Sequence, residues 1–281
     1  MTFLLLPLFY VCLICGKPIN ALTKFVLNMN EHAFDDQYDG CTVEMENEIL
    51  SSLLNEEKAT DSVFRDAWDK AAQRWQEQKL SVPEGFKDEY GIAIMAYTNI
   101  ESSLYSNFNA AVRKYDPNTF HYHSMHFFLT RAVVLLNSQC QTVYRGMKGV
   151  HLNPEAPNAE VRFGQFSSSS KNKKISEDFG KDTFIKLFSC FGIDVRRFSY
   201  VPEQEEVLIP VDEVFRVKDT KTVDGDKSYL ELESAKKRCH YYNCEYLKKG
   251  GQNYVCMASE GTRIPPSLAM ILLLLCGLLI F

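Results

Sequence analysis

Three short segments in the second half of this chain carry side chains able to hold an anion and to stabilise a developing cation. Val143-Tyr-Arg-Gly146 sets an arginine at the end of an expected strand, next to a glycine. Arg162-Phe-Gly-Gln-Phe-Ser-Ser-Ser-Ser170 brings a run of hydroxyls behind an aromatic residue, and Glu203-Gln-Glu-Glu-Val-Leu-Ile-Pro210 brings carboxylates to the head of an apolar run. A guanidinium is a fork of donors matched to paired oxyanions. A fixed carboxylate suits positive charge that builds up in a transition state. Taken singly, each segment also has a plain structural reading: a surface salt-bridge arginine, a flexible serine loop, a charged strand edge.

Competing motifs are absent. No GxGxxG follows a strand and no Walker loop occurs, so neither a Rossmann nor a P-loop reading has support. His121, His123 and His126 crowd together, but without a helical His-x3-His pair or a Cys or carboxylate at ligand spacing no metal is expected.

The elements that must position these residues divide the chain in two. From Cys41 to about Asn137 the signals are helical: Phe64, Trp68, Ala71 and Trp75 recur at spacings of four, three and four, with Asp61 placed to cap the run. Ile92–Tyr97 and Phe127–Leu136 also suit helices, and the acidic stretch Glu44–Glu57 reads as a solvated helix face. After Cys140 come short β-type runs at 142–145, 161–163, 183–188, 206–209, 214–217 and 229–232. Helices followed by strands predict an α+β domain with a mainly antiparallel sheet.

Composition and chain ends narrow the class further. The 281 residues are 46% hydrophobic and 24% charged, with a net charge of −5, which disfavours a nucleic-acid partner. Phe3–Cys15 is an apolar run of signal-peptide length, with cleavage expected between Gly16 and Ala21. Leu268–Phe281 is a 14-residue apolar run. As a helix it reaches about 21 Å against a hydrocarbon core about 30 Å thick. Small residues Ala258, Ser259 and Gly261, a polar spacer and that tail form the pattern of a GPI-anchor signal, with attachment near Ser259; a true span is the alternative. The expected division is a signal peptide at 1–21, one catalytic domain at 22–259 and a GPI-attachment propeptide at 260–281. Of nine cysteines, Cys12, Cys15 and Cys276 lie in the apolar ends. The remaining six, in an exported domain, suit disulfides whose connectivity stays open.

Taken together and in this order, the three segments resemble the arginine–serine–glutamate signature of the arginine-type mono-ADP-ribosyltransferases, and the surrounding chain resembles their vertebrate GPI-anchored ecto-enzymes. Ala33-Phe-Asp-Asp-Gln-Tyr-Asp-Gly-Cys41, His126-Phe-Phe-Leu-Thr-Arg131 and Arg162-Phe-Gly-Gln-Phe166 are similar to further motifs of that family. The likeness runs roughly from residue 30 to residue 250 and is nearest the T-cell type, on Gln204-Glu205-Glu206.

The resemblance implies an N-terminal helical region, then a mainly antiparallel, β-sandwich-like NAD-binding core. NAD+ is implied as a substrate, not a cofactor. Arg145 is implied as the holder of its diphosphate, Gly146 and Gln204 as further NAD+ contacts, and Ser168 as the group that orients the catalytic Glu206 and touches the nicotinamide ribose. Glu206 stabilises the oxocarbenium-like sugar formed when the nicotinamide–ribose bond breaks, as in glycoside hydrolysis. It also implies Cys41–Cys244 and Cys140–Cys190 disulfides, leaving Cys239 and Cys256 as a remaining pair. If the segment is extended, alternation sets Gln204 and Glu206 on one face and Glu205 on the other. Arginine-modifying members have glutamate where Gln204 stands. Gln204 is therefore expected to govern the acceptor, with hydrolysis of NAD+ outweighing transfer to protein arginine or auto-modification. The contrasting expectation is a catalytically silent, GPI-anchored surface protein that retains the fold.

Overall fold

Helices come first because their sequences bury one face. The computed structural model describes residues 23–136, 138–223, 227–250 and 252–258. The signal-peptide run, Ser259 and the C-terminal apolar tail lie outside them. Helix α1 (Thr42–Glu48) runs through a π-helical turn (Ile49–Leu53) into α2 (Leu54–Thr60). Helix α3 (Ser62–Gln78) starts where the Asp61 carboxylate accepts from the amides of Val63 at 2.8 Å and Phe64 at 3.1 Å. Two of the free N–H groups of a helix start are thereby satisfied. Its stripe Phe64, Ala67, Trp68, Ala71 and Trp75 is buried throughout.

The stripe packs on α4 (Asp88–Tyr97), in which every residue from Tyr90 onward is buried. Gly91 lets the two helices approach, since a Cβ there would lie 2.1 Å from the Trp75 ring. Helices α5 (Leu104–Arg113) and α6 (His123–Leu135) complete the layer.

The acidic stretch departs from the expected solvated face at Glu57. Its side chain is buried and accepts from the amides of His123 at 2.6 Å and Ser124 at 3.0 Å, so it caps α6 from α2. Burial raises its pKa to about 7, against those hydrogen bonds.

The β half is a nine-stranded sheet in the order β4-β9-β10-β6-β2-β5-β8-β7, with β11 on β10. In chain order, its members are β2 (Gln141–Met147), β4 (Glu160–Val161), β5 (Ser167–Ser170), β6 (Thr183–Ser189), β7 (Ile193–Asp194), β8 (Glu206–Ile209), β9 (Glu213–Val223), β10 (Lys227–His240) and β11 (Val255–Ala258). A short helix, α7 (Lys173–Asp178), joins β5 to β6. Among the described residues, only the β10–β6 pairing in this sheet is parallel. Strands β1 (Thr23–Leu27) and β3 (Val150–Pro154) pair in parallel as a small second sheet.

Strand β8 divides two cores by its period of two. Leu208 joins the helical core, while Val207 and Ile209 join a second core containing Leu27 and Leu152 of the small sheet. The result is an α+β fold with a sandwich-like β half.

Three strand expectations change. Ser167–Ser170 is a strand between β2 and β8, not a loop. Arg145 lies inside β2 and not at its end. The run at 161–163 keeps only a two-residue strand, because the buried Arg162 guanidinium turns to Asp35 and to the carbonyls of Met29, Asn30 and Cys239.

The termini of the domain are fastened together. Asp35 accepts from the amides of Tyr241 and Tyr242, and Asp36 from those of Cys244 and Glu245. Disulfides join Cys41 to Cys244, Cys140 to Cys190 and Cys239 to Cys256.

Candidate active site

A cavity of about 450 Å³ opens between the sheet and the helical layer, lined by Tyr97 and Tyr105 on one side and by Arg145, Gly146, Ser168, Gln204 and Glu206 on the other. That volume suits a small-molecule substrate. Antiparallel pairing sets β5 between β2 and β8, so segments more than twenty residues apart in sequence meet at one spot.

Arg145 is half-buried. Its Nη1 donates to the Ser168 carbonyl and its Nη2 to the Tyr105 hydroxyl at 3.2 Å. Burial works against its charge, but Tyr105, Tyr97 and Glu206 outweigh burial and hold the guanidinium protonated. The fork still has donors to spare for oxyanions. Gly146 is required next to it: a Cβ there would lie 1.9 Å from the Ser176 carbonyl and 2.4 Å from that of Gly180.

Glu206 opens β8 and is 4% exposed. Its carboxylate accepts hydrogen bonds from Ser168 and Ser199 and faces the Arg145 charge. Burial nevertheless dominates and raises its pKa to about 7. The arrangement is a desolvated carboxylate held by two hydroxyls and one cation.

Gln204 reaches the cavity by a route that alternation did not anticipate. Pro202–Gln204 is a 3-10 turn and Glu205 has φ 48°, so the segment is not extended before Glu206. Gln204 and Glu206 line the cavity all the same. Ser170 Oγ donates to the Gln204 carbonyl at 2.8 Å, and Glu205 leaves the cavity to accept from Asn172 Nδ2 at 3.3 Å.

Sequence reasoning missed Ser199, Tyr97 and Tyr105. Ser199 has no signal, sitting alone in an irregular stretch, and the tyrosines read as ordinary helix residues. The histidines do not converge on the cavity. His126 is buried among Phe34, Tyr38 and Phe166, and its Nδ1 lies 2.8 Å from the Tyr38 hydroxyl. Burial lowers the pKa of His126 to about 3 and that of His123 to about 4. Among the described residues, no group of three His, Cys, Asp or Glu side chains is placed to hold a metal ion.

The sequence profile of the family "NAD:arginine ADP-ribosyltransferase" matches residues 27–240. The chain belongs to that family. As an NAD:arginine ADP-ribosyltransferase family member it is an enzyme that uses NAD+. It is 38% identical over 272 residues to GPI-linked NAD(P)(+)–arginine ADP-ribosyltransferase 1 of Mus musculus, an alignment covering 89% of this chain and 82% of the relative. It is 39% identical over 246 residues to T-cell ecto-ADP-ribosyltransferase 2 of Rattus norvegicus, covering 84% and 86% respectively. Crystal structures of the mono-ADP-ribosyltransferase ART2.2 superpose with a TM-score of 0.69 at 38% identity, covering 79% of this chain and 99% of that one. They are glutamate-substituted mutants in complex with NADH or NAD.

Proposed function

We propose that this protein cleaves NAD+ at the nicotinamide–ribose bond on the outer cell surface, and that water takes the ADP-ribose more often than an arginine acceptor does. The observation that carries the reading is the buried Glu206 carboxylate, held by Ser168 and Ser199 and facing Arg145, in a cavity whose acceptor side carries the neutral Gln204.

Arg145 holds the diphosphate through its spare donors, and Gly146 leaves room for backbone approach. As the glycosidic C–N bond breaks, nicotinamide leaves neutral and the ribose takes on oxocarbenium character. Glu206 meets that charge where water is largely excluded, so the interaction is far stronger than in bulk solvent. Ser168 and Ser199 fix the carboxylate, so no reorganisation is needed at the moment of reaction. Gln204 forms hydrogen bonds but supplies no charge to a guanidinium acceptor, whereas water needs no such attraction.

The surface location draws support from the names of the relatives, "GPI-linked" and "ecto", and from the terminal apolar runs. Phosphatidylinositol-specific phospholipase C should release the protein from intact cells, with attachment near Ser259; retention after complete digestion of a control would favour a span. The enzymatic reading is tested by following NAD+ with and without agmatine. Free ADP-ribose should dominate in wild type, and Gln204→Glu should raise ADP-ribosyl-agmatine by about tenfold, the range of one charged pair, with hydrolysis changed much less. Efficient arginine modification by wild type would overturn this account of Gln204.

A further inference from the structure

The turn that carries Gln204 is held by helix α3, the chain that follows it and the end of α4. Arg197 Nη2 donates to the Ser81 carbonyl at 2.7 Å. Phe198 stacks on Phe86, with ring centroids 5.4 Å apart, and meets Trp75 at 5.9 Å. The Tyr200 amide donates to Thr98 Oγ1 at 2.8 Å. A further hold reaches the turn from α3 as a charged side chain. Arg74 Nη2 donates to the Tyr200 carbonyl at 3.0 Å, and its guanidinium carbon lies 4.1 Å from the centre of the Tyr200 ring.

The Arg74 charge has no other evident use, since it forms no ion pair among the described residues and lies outside the cavity that holds Glu206. It sits instead in an open depression on the far side of the turn, formed with Lys70, Gln73, Glu77, Gln78 and Tyr200. After Tyr200 the chain winds tightly: the Val201 amide donates to Ser199 Oγ at 3.1 Å and the Gln204 amide to the Val201 carbonyl at 3.1 Å. A displacement of Tyr200 is therefore passed directly to Gln204. Glu206 is less exposed to such a displacement: it is anchored by its place in β8 and by Ser168, and only its second hydroxyl partner, Ser199, belongs to the turn.

We propose that Arg74 is a specificity-determining positioning residue, which fixes Gln204 through Tyr200 and so sets the partition of ADP-ribose between water and a guanidinium acceptor. The proposal rests on the reading of Gln204 as the acceptor-side group. A planar guanidinium stacked on an aromatic face with one N–H on a carbonyl is a geometry that lysine does not reproduce. Losing it frees the turn and Gln204 with it, while Arg145 and the β8 and Ser168 anchors of Glu206 stay in place.

The test uses the full-length protein on cells, with ADP-ribose and ADP-ribosyl-agmatine quantified together. Arg74→Ala should lower the transfer-to-hydrolysis ratio at least threefold and raise the KM for agmatine, with the KM for NAD+ within twofold of wild type and any fall in hydrolysis kcat, through Ser199, smaller than the fall in transfer. Tyr200→Ala should reproduce this, Tyr200→Phe should match wild type, and Arg74→Lys should fall between. If Arg74→Ala fails to reach the surface, Arg74→Lys and Tyr200→Ala carry the measurement. An unchanged ratio, or transfer and hydrolysis falling in step, overturns the proposal and leaves Arg74 a structural residue. Predominance of hydrolysis is judged from the wild-type ratio alone. The role of Gln204 is judged from Gln204→Glu, so failure of that reading and failure of this one are distinguishable.

Discussion

Glu206 faces two demands that pull its proton in opposite directions. Burial favours the neutral carboxyl, whereas the proposed stabilisation of a sugar cation requires the carboxylate, and a pKa of about 7 leaves the free protein between them. The value of kcat/KM reports the free enzyme, so for NAD+ cleavage it should fall below about pH 7, approaching tenfold per pH unit. Ser199 bonds to the charged form, and its loss raises the pKa further. Ser199→Ala should therefore move the acid limb of the pH profile upward, while a serine with only a packing role would lower activity without moving the limb. Glu206→Gln should cost a factor of about 10² to 10³ in kcat, the usual loss of one charge-stabilising group, with NAD+ binding largely retained. A mutant within threefold of wild type would remove Glu206 from the mechanism.

At the scale of elements, legibility followed how local each cause was. Helix α3 could be read because its cap and its apolar stripe lie within one continuous segment. The strand at Ser167–Ser170 could not, because serine carries little β preference; pairing with β2 and β8 makes it extended. The turn before Glu206 had a local signal that the alternation reading overlooked: Pro202 cannot donate to a ladder and favours the start of a turn. Arg145, Ser168 and Glu206 were legible as a group by resemblance, whereas Ser199 and Tyr105 enter the site only through tertiary packing. Glu57 is the clearest case of a distant cause, capping α6 from 66 residues away. Glu57→Ala would leave two buried amides without a partner, and a stability loss of about 1–3 kcal/mol is expected. Glu57→Gln, which keeps an acceptor, should lose less. Equal losses for the two variants in urea titrations would show that filling space, not capping, is what Glu57 contributes.

The whole molecule is held at its two ends by covalent and polar fastenings of different reach. The Cys41–Cys244 bond spans 203 residues and the Cys239–Cys256 bond only 17. Loop-closure entropy assigns a crosslink of the longer kind about 5 kcal/mol and one of the shorter kind about 3. Two features of the fold widen that gap. Strand β11 is exposed along its whole length and pairs only with the end of β10, so releasing Cys256 exposes little that was buried. Cys244, in contrast, is buried against the α1 start and the helical core. Polar contacts temper the loss there, because Asp36 keeps the amides of Cys244 and Glu245, and Asp35 keeps Arg162 and the amides of Tyr241 and Tyr242. Replacing Cys41 and Cys244 together by alanine should thus cost about 2–4 kcal/mol of unfolding free energy, somewhat below the entropic figure. Replacing Cys239 and Cys256 together should cost less than half as much and leave NAD+ cleavage intact, since the cavity lies on β2, β5 and β8. Guanidinium titrations of the two double variants decide the point. Equal losses, or the larger loss from the Cys239–Cys256 pair, would mean that the β10–β11 end and not the α1 junction holds the domain together.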